Sequence, residues 1–173
     1  MRTLSLVVST AVLGALATPV LAADLAVTVE IPRINTAAYH RPYVAIWIER
    51  PDQTAVRTVA VWYQVTAGRG GEGEGKDWLK DMRTWWRKGG RALSLPADGV
   101  SGATRAPGTQ TVRIPGSRLT SLPAGQYNVV VEAAREQGGR ELVRVPFRWG
   151  GSTARTNATG STELGAVSVA VTR

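Results

Sequence analysis

Between Leu95 and Gly108 the chain reads LPADGVSGATRAPG, and two hydroxyls, those of Ser101 and Thr104, stand there among glycine and alanine. A side-chain hydroxyl can act as a nucleophile or accept a transferred group. As a nucleophile it needs a general base within hydrogen-bond reach. His40 is the one conventional base of the chain, and nothing in the sequence brings it near. A hydrolase working through Ser101 or Thr104 is therefore a weak reading. One histidine also leaves no material for a histidine-rich metal site or a Ser-His-Asp triad. His40 reads more simply as a partly exposed side chain ahead of a strand. The absence of cysteine excludes thiol chemistry and cysteine metal sites. The acceptor role asks for less: a hydroxyl on an exposed, deformable loop that another enzyme can reach.

The run Asp98-Gly99-Val100-Ser101-Gly102-Ala103-Thr104 resembles the flavinylation motif read by ApbE-type flavin transferases. In that motif an aspartate stands upstream, Ser/Thr-Gly-Ala precedes the acceptor, and the threonine takes the flavin. The resemblance implies a covalent FMN, transferred from FAD with magnesium onto the Thr104 hydroxyl as a phosphoester. Asp98, Ser101, Gly102 and Ala103 would complete the cofactor-bearing site. Gly102 and Ala103 leave room for the FAD diphosphate, and Gly99 and Gly102 permit the bend. Asp98 either orients the loop through its own backbone amides or contacts the transferase. The motif is best known in FMN-bearing subunits of the Rnf complex and of the sodium-pumping NADH:quinone reductase, whose fold differs, so that likeness is confined to these few residues. Many members carry a second Ser or Thr two residues beyond the acceptor, where this chain has Ala106.

A wider likeness rests on HRPYVAIWIE, KDWLKDMRTWW, DGVSGAT, PAGQYNVVVEAAREQGGRELVRVPF and the closing ELGAVSVAV. With these the chain resembles a bacterial family of predicted periplasmic proteins of undetermined function, which tends to occur beside PepSY-type membrane proteins and flavin transferases. That resemblance implies an extracytosolic electron-transfer flavoprotein, an electron carrier more than a stand-alone enzyme. It would accept electrons from a PepSY-type or other membrane-bound reductase. The rival reading, from another class, is a non-redox binding or adaptor module of the cell envelope.

The N-terminus agrees with export. Arg2, an uncharged apolar run from Leu4 to Leu16, Pro19, and small residues at Val20 and Ala22 make residues 1–22 a secretory signal peptide cleaved after Ala22. The run is too short to span a membrane comfortably. The expected location is the periplasm, and residues 23–173 suffice for a single domain. The formal charge of +8 and the pI near 10.8 would point to nucleic acid in a cytoplasmic protein. Export argues against nucleic acid, and the basic residues are spread along the chain. An anionic membrane surface touched peripherally, an acidic partner, a phosphorylated cofactor, or solubility alone remain.

The elements that must hold these residues are mostly strands. LAVTVEIPRI alternates apolar and polar, YVAIWIE repeats the pattern, and a Pro51-Asp52-Gln53 turn leads to a strand over 56–65. After a glycine-rich loop over 67–76, Asp77 reads as the N-cap of a helix over about 77–88, ended by Gly89-Gly90. Trp78, Leu79, Met82, Trp85 and Trp86 recur at helical spacing. This face either covers the open side of a sheet or leaves an indole free to stack on a planar ligand beside Arg83, Arg87 and Lys88. Arg105, with Arg83, Arg87 or Arg91, would then favour an anionic reduced flavin. A polar loop over about 95–108 follows, then the alternating segments TQTVRIPG, GQYNVVVEAARE, RELVRVPFRW and GAVSVAVTR, with a Gln137-Gly138-Gly139 hairpin. Seven or so short strands with regular turns predict a mainly β protein, an immunoglobulin-like antiparallel β-sandwich with one short amphipathic helix inserted. LPAGQYNVVVEA resembles the penultimate strand of bacterial Ig-like modules such as that of the flagellar hook-capping protein.

Overall fold

The structure, a computed structural model, describes residues 23–65 and 75–173. The expected signal peptide and most of the glycine-rich loop lie outside the described residues. Nine strands form: β1 (Asp24–Ile31), β2 (Tyr43–Glu49), β3 (Ala55–Tyr63), β4 (Ser101–Ala103), β5 (Gly108–Ile114), β6 (Gly125–Ala134), β7 (Arg140–Trp149), β8 (Ala154–Thr159) and β9 (Ala166–Thr172). They make a four-stranded sheet, ordered β5-β1-β9-β8, and a five-stranded sheet, ordered β4-β3-β2-β6-β7. All pairings are antiparallel except that of β3 with β4.

Alternation explains the sandwich. On β1, Leu25, Val27, Val29 and Ile31 are buried, and they pack with Val44, Ile46 and Ile48 of β2 and Val129 and Val131 of β6. Each such side chain contributes roughly 1.5–3 kcal/mol when fully removed from water. The topology is immunoglobulin-like. The β1–β5 pair corresponds to the B and E strands of that fold, and β2, β6 and β7 to C, F and G. The C-terminal β9 takes the place beside β1 that the first strand of an immunoglobulin domain would fill. Tyr127, at the start of β6, donates its hydroxyl hydrogen to the Pro123 carbonyl at 3.0 Å, the tyrosine corner of such domains. The turn in LPAGQY thus has a physical role: it brings that carbonyl back to the ring.

In the five-stranded sheet β2 and much of β3 and β6 are buried on both faces, while Arg144, Pro146 and Arg148 leave the outer face of β7 exposed. The outer face of β2, β3 and β6, with Ala45, Trp47, Val61, Tyr63 and Val130, is covered by Leu79, Met82 and Trp85. The covering segment differs from the expected helix. Residues Gly75–Asp81 form a 3₁₀ helix, and the α-helix α1 spans Arg83–Lys88 only. Asp77 therefore lies inside the 3₁₀ turn, and the N-cap position of α1 falls to Met82, which supplies no side-chain cap. Its cap comes from the sheet: the buried Glu132 carboxylate of β6 accepts the Thr84 and Trp85 amides at 3.1 and 2.7 Å. These donors would otherwise be orphaned at the helix start. Gly89, with φ +152, ends the helix and donates its amide to the Trp85 carbonyl.

Candidate functional site

The acceptor run is less loop-like than its composition implies. Val61, Trp62 and Tyr63 of β3 pair in parallel with Ser101, Gly102 and Ala103 of β4, a three-residue edge strand. Small residues suit this position because β4 crosses a tryptophan. A Cβ on Gly102 would sit 3.4 Å from Trp62 Cδ1, in ordinary contact. Gly102 is thus extended backbone over an indole edge and not a hinge. The bend is made by Gly99 alone, at φ +63, a conformation that costs other residues energy.

Asp98 does not order this turn. Its carboxylate is exposed and makes no hydrogen bond among the described residues. The Ala97 carbonyl instead accepts the Val100 and Ser101 amides, and the Ala97 amide donates to Ser101 Oγ at 2.9 Å. Ser101 is a positioning hydroxyl, as expected of a residue that shapes the segment. Thr104, the first residue beyond β4, is half-buried, and its hydroxyl has no hydrogen-bond partner among the described residues.

Thr104 lines a cavity of about 850 Å³. Tyr39, His40, Arg41 and Tyr43 enter from the segment before β2 and its first residue, Asp77, Trp78 and Asp81 from the 3₁₀ helix, and Arg135, Glu136 and Gln137 from the end of β6 and its hairpin. The volume is within the range of small-molecule and cofactor sites. Besides Tyr39 and Tyr43 the lining carries the indole of Trp78, 60 % exposed, with the Lys80 ammonium 5.9 Å from its ring centroid. Trp85 is buried and donates Nε1–H to Thr58 Oγ1 at 3.0 Å, and Trp86 packs on the same cluster. Both readings of this face thus hold in part: Leu79, Met82 and Trp85 cover the sheet, and the Trp78 indole stays exposed. The chain changes helix type at Met82, so residues before and after it do not share one continuous helical phase.

The charges also differ from expectation. Arg83, Arg87 and Arg91 do not line the cavity, and the Arg105 guanidinium lies over the Trp62 ring at 5.4 Å. Arg41 and Arg135 are the cationic lining residues beside His40, against Asp77, Asp81 and Glu136, so the cavity is mixed in sign. Arg135 is fixed by a bidentate pair with buried Glu163, at 2.8 and 3.0 Å. Two buried polar atoms of this lining, Tyr39 Oη and Arg135 Nη1, have no partner. Burial raises the Tyr39 pKa, against the lowering effect of the Arg135 charge, and so favours its neutral, donating form. His40 Nδ1 lies 3.4 Å from Glu136 Oε2. Thus the fold brings His40 and Thr104 to one cavity, which the sequence did not signal. No hydrogen bond joins them among the described residues, and a nucleophile–base pair requires one.

A family model described as "Predicted periplasmic protein (DUF2271)" matches residues 24–166, from the first residue of β1 to that of β9. The chain belongs to this family. The protein is accordingly periplasmic, in agreement with the export signal read from residues 1–22. No curated protein and no solved structure matches the chain. The family match covers every residue that bears on the cavity, from Tyr39 through Thr104 to Gln137. Among the described residues no cluster of His, Asp and Glu could hold a metal ion, and no helix is long and apolar enough to cross a membrane.

Proposed function

We propose that this protein is a periplasmic electron-transfer flavoprotein whose FMN is esterified to Thr104, accepting electrons from a PepSY-type or other membrane-bound reductase. The observation that carries the reading is the position of Thr104. The one threonine that fits the acceptor motif has an unbonded hydroxyl on the lining of an 850 Å³ cavity that also contains an exposed indole. In the modification the Thr104 oxygen forms a bond to the flavin-side phosphorus of FAD. The phosphoanhydride bond breaks, AMP leaves with the bonding electrons, and the hydroxyl proton passes to a base of the transferase.

The residues present fit such a cofactor. Trp78 offers a π-face for stacking a planar ring, and the exposed Arg41 of the lining offers guanidinium N–H donors to ring carbonyl and nitrogen acceptors. Glu163 holds the Arg135 guanidinium in place. A flavin, when bound, supplies one- and two-electron chemistry, and the protein supplies the tether, the stacking face and the hydrogen bonds. A covalent tether prevents loss of the cofactor outside the cell.

Co-expression with an active ApbE-type transferase should add the mass of one FMN less a water and turn the protein yellow. Thr104→Ala should abolish the addition without unfolding the sandwich, and Ser101→Ala should largely preserve it. Trp78→Ala should leave the mass gain intact but brighten flavin fluorescence, by removing a stacked quencher. A wild-type protein that stays colourless and unmodified would refute the proposal and leave the adaptor reading. Flavin found on Ser101 would overturn the site assignment.

A further inference from the structure

A second concavity, independent of the Thr104 cavity, lies where α1, β3 and the segment after β5 meet. It has a volume of about 610 Å³, and its charged lining residues are Arg57, Lys88 and Arg118, with no carboxylate among them. Thr58, Ser117 and Ser121 add hydroxyls. Lys88 is neutralised from behind by buried Glu49 at 2.9 Å, a carboxylate that also binds Arg144 at 2.8 Å. Arg57 and Arg118 have no carboxylate partner among the described residues.

Both guanidiniums are nevertheless held in place. Arg57 donates from Nη1 to the Arg118 carbonyl, and Arg118 donates from Nη1 to the Gly99 carbonyl at 2.8 Å. Each is anchored by one N–H, and its remaining donors carry no hydrogen bond among the described residues. A guanidinium fork matches phosphate oxygens in a bidentate manner, and anchoring it beforehand reduces the entropy lost on binding. Like charges gathered without a counter-charge are mutually repulsive, and a multiply charged anion relieves that repulsion. Val56, Leu93 and Val100 give the lining an apolar side, and Leu93 is 38 % exposed.

We propose that this groove is a binding site for a soluble phosphorylated small molecule, its phosphate held by Arg57 and Arg118 and its organic part lying against Leu93. The donors line a concavity instead of projecting from a convex face, which suits a small molecule better than a membrane plane. The proposal does not depend on Thr104 or on a flavin.

The test is calorimetric titration of the unflavinylated mature protein with inorganic pyrophosphate at fixed ionic strength. The expected result is saturable one-to-one binding that weakens at least tenfold in Arg57→Gln, is partly recovered in Arg57→Lys, and is unchanged in Arg33→Gln, an exposed arginine outside the groove. Arg57 is the main test position because Arg118 also supports the Gly99 turn. Circular dichroism and the melting temperature establish that each variant folds. Absence of saturable binding, or equal weakening by Arg33→Gln, would overturn the proposal. So would retention on phosphatidylglycerol vesicles without binding of pyrophosphate, which would make the basic residues a membrane-contact surface.

Discussion

Trp85→Ala and Trp78→Ala should have opposite weights, although both indoles come from the stretch that reads as one amphipathic helix. Trp85 is 1 % exposed and sits on the outer face of the five-stranded sheet with Leu79 and Met82. Its pocket cannot readily collapse, since one wall is the sheet and another is the Gly90 backbone. A Cβ on Gly90 would fall 2.7 Å from the indole carbons. Truncating a buried tryptophan to alanine costs about 3–5 kcal/mol, as lost transfer energy plus residual cavity. Loss of the Nε1–H bond to Thr58 adds at most about 1 kcal/mol, because half-buried Thr58 can turn to water. At roughly 2–4 °C per kcal/mol for a domain of this size, the melting temperature should fall by roughly 6–24 °C. Trp78→Ala should remain within about 0.5 kcal/mol of wild type, as surface substitutions usually do. Urea unfolding followed by far-ultraviolet circular dichroism measures both, and an unchanged slope excludes a change in the unfolded ensemble. A loss below about 1 kcal/mol for Trp85→Ala, or an equal loss for the two variants, would refute the packing described here.

Stability should fall on acidification in a window set by Glu141. Burial pushes its pKa up, but hydrogen bonds from the Ser161, Thr162 and Leu164 amides and the Ser161 hydroxyl more than offset this, and the folded value lies at about 2 against an ordinary 4.5. Because the folded pKa is depressed, the contribution is fully present above about 4.5 and is lost as pH falls towards 2. Glu141→Gln should lower stability at pH 7 and flatten the decline between pH 5 and 2, and an unchanged slope would show that Glu141 does not govern it. In the acceptor segment, Ser101→Ala should cost about 1 kcal/mol by freeing the Ala97 amide. Asp98→Ala should cost almost nothing, since the exposed carboxylate holds nothing in the fold; a measured loss above 1 kcal/mol for Asp98→Ala would contradict this.

Much of the fold was legible because a strand advertises itself by a period of two. Leu25, Val27, Val29 and Ile31 could only be one buried face, and the hairpin turns at Pro51-Asp52-Gln53 and Gln137-Gly138-Gly139 form where the sequence places them. Strand β8 escaped because ARTNAT is an exposed edge with little apolar alternation. The run DGVSGAT named a candidate acceptor hydroxyl, since a motif is local. The cavity around that hydroxyl was not legible. Tyr39, Trp78, Thr104 and Arg135 are distant in sequence, and they meet only because β4 docks in parallel on β3 and β6 runs beside β2. Which tryptophan faces water was decided by the change of helix type at Met82 and by the carboxylate of Glu132, a strand residue 47 positions from Trp85 that caps its helix. Periodicity assumes one unbroken helix with local caps, and here the sheet beneath supplied both the cap and the phase.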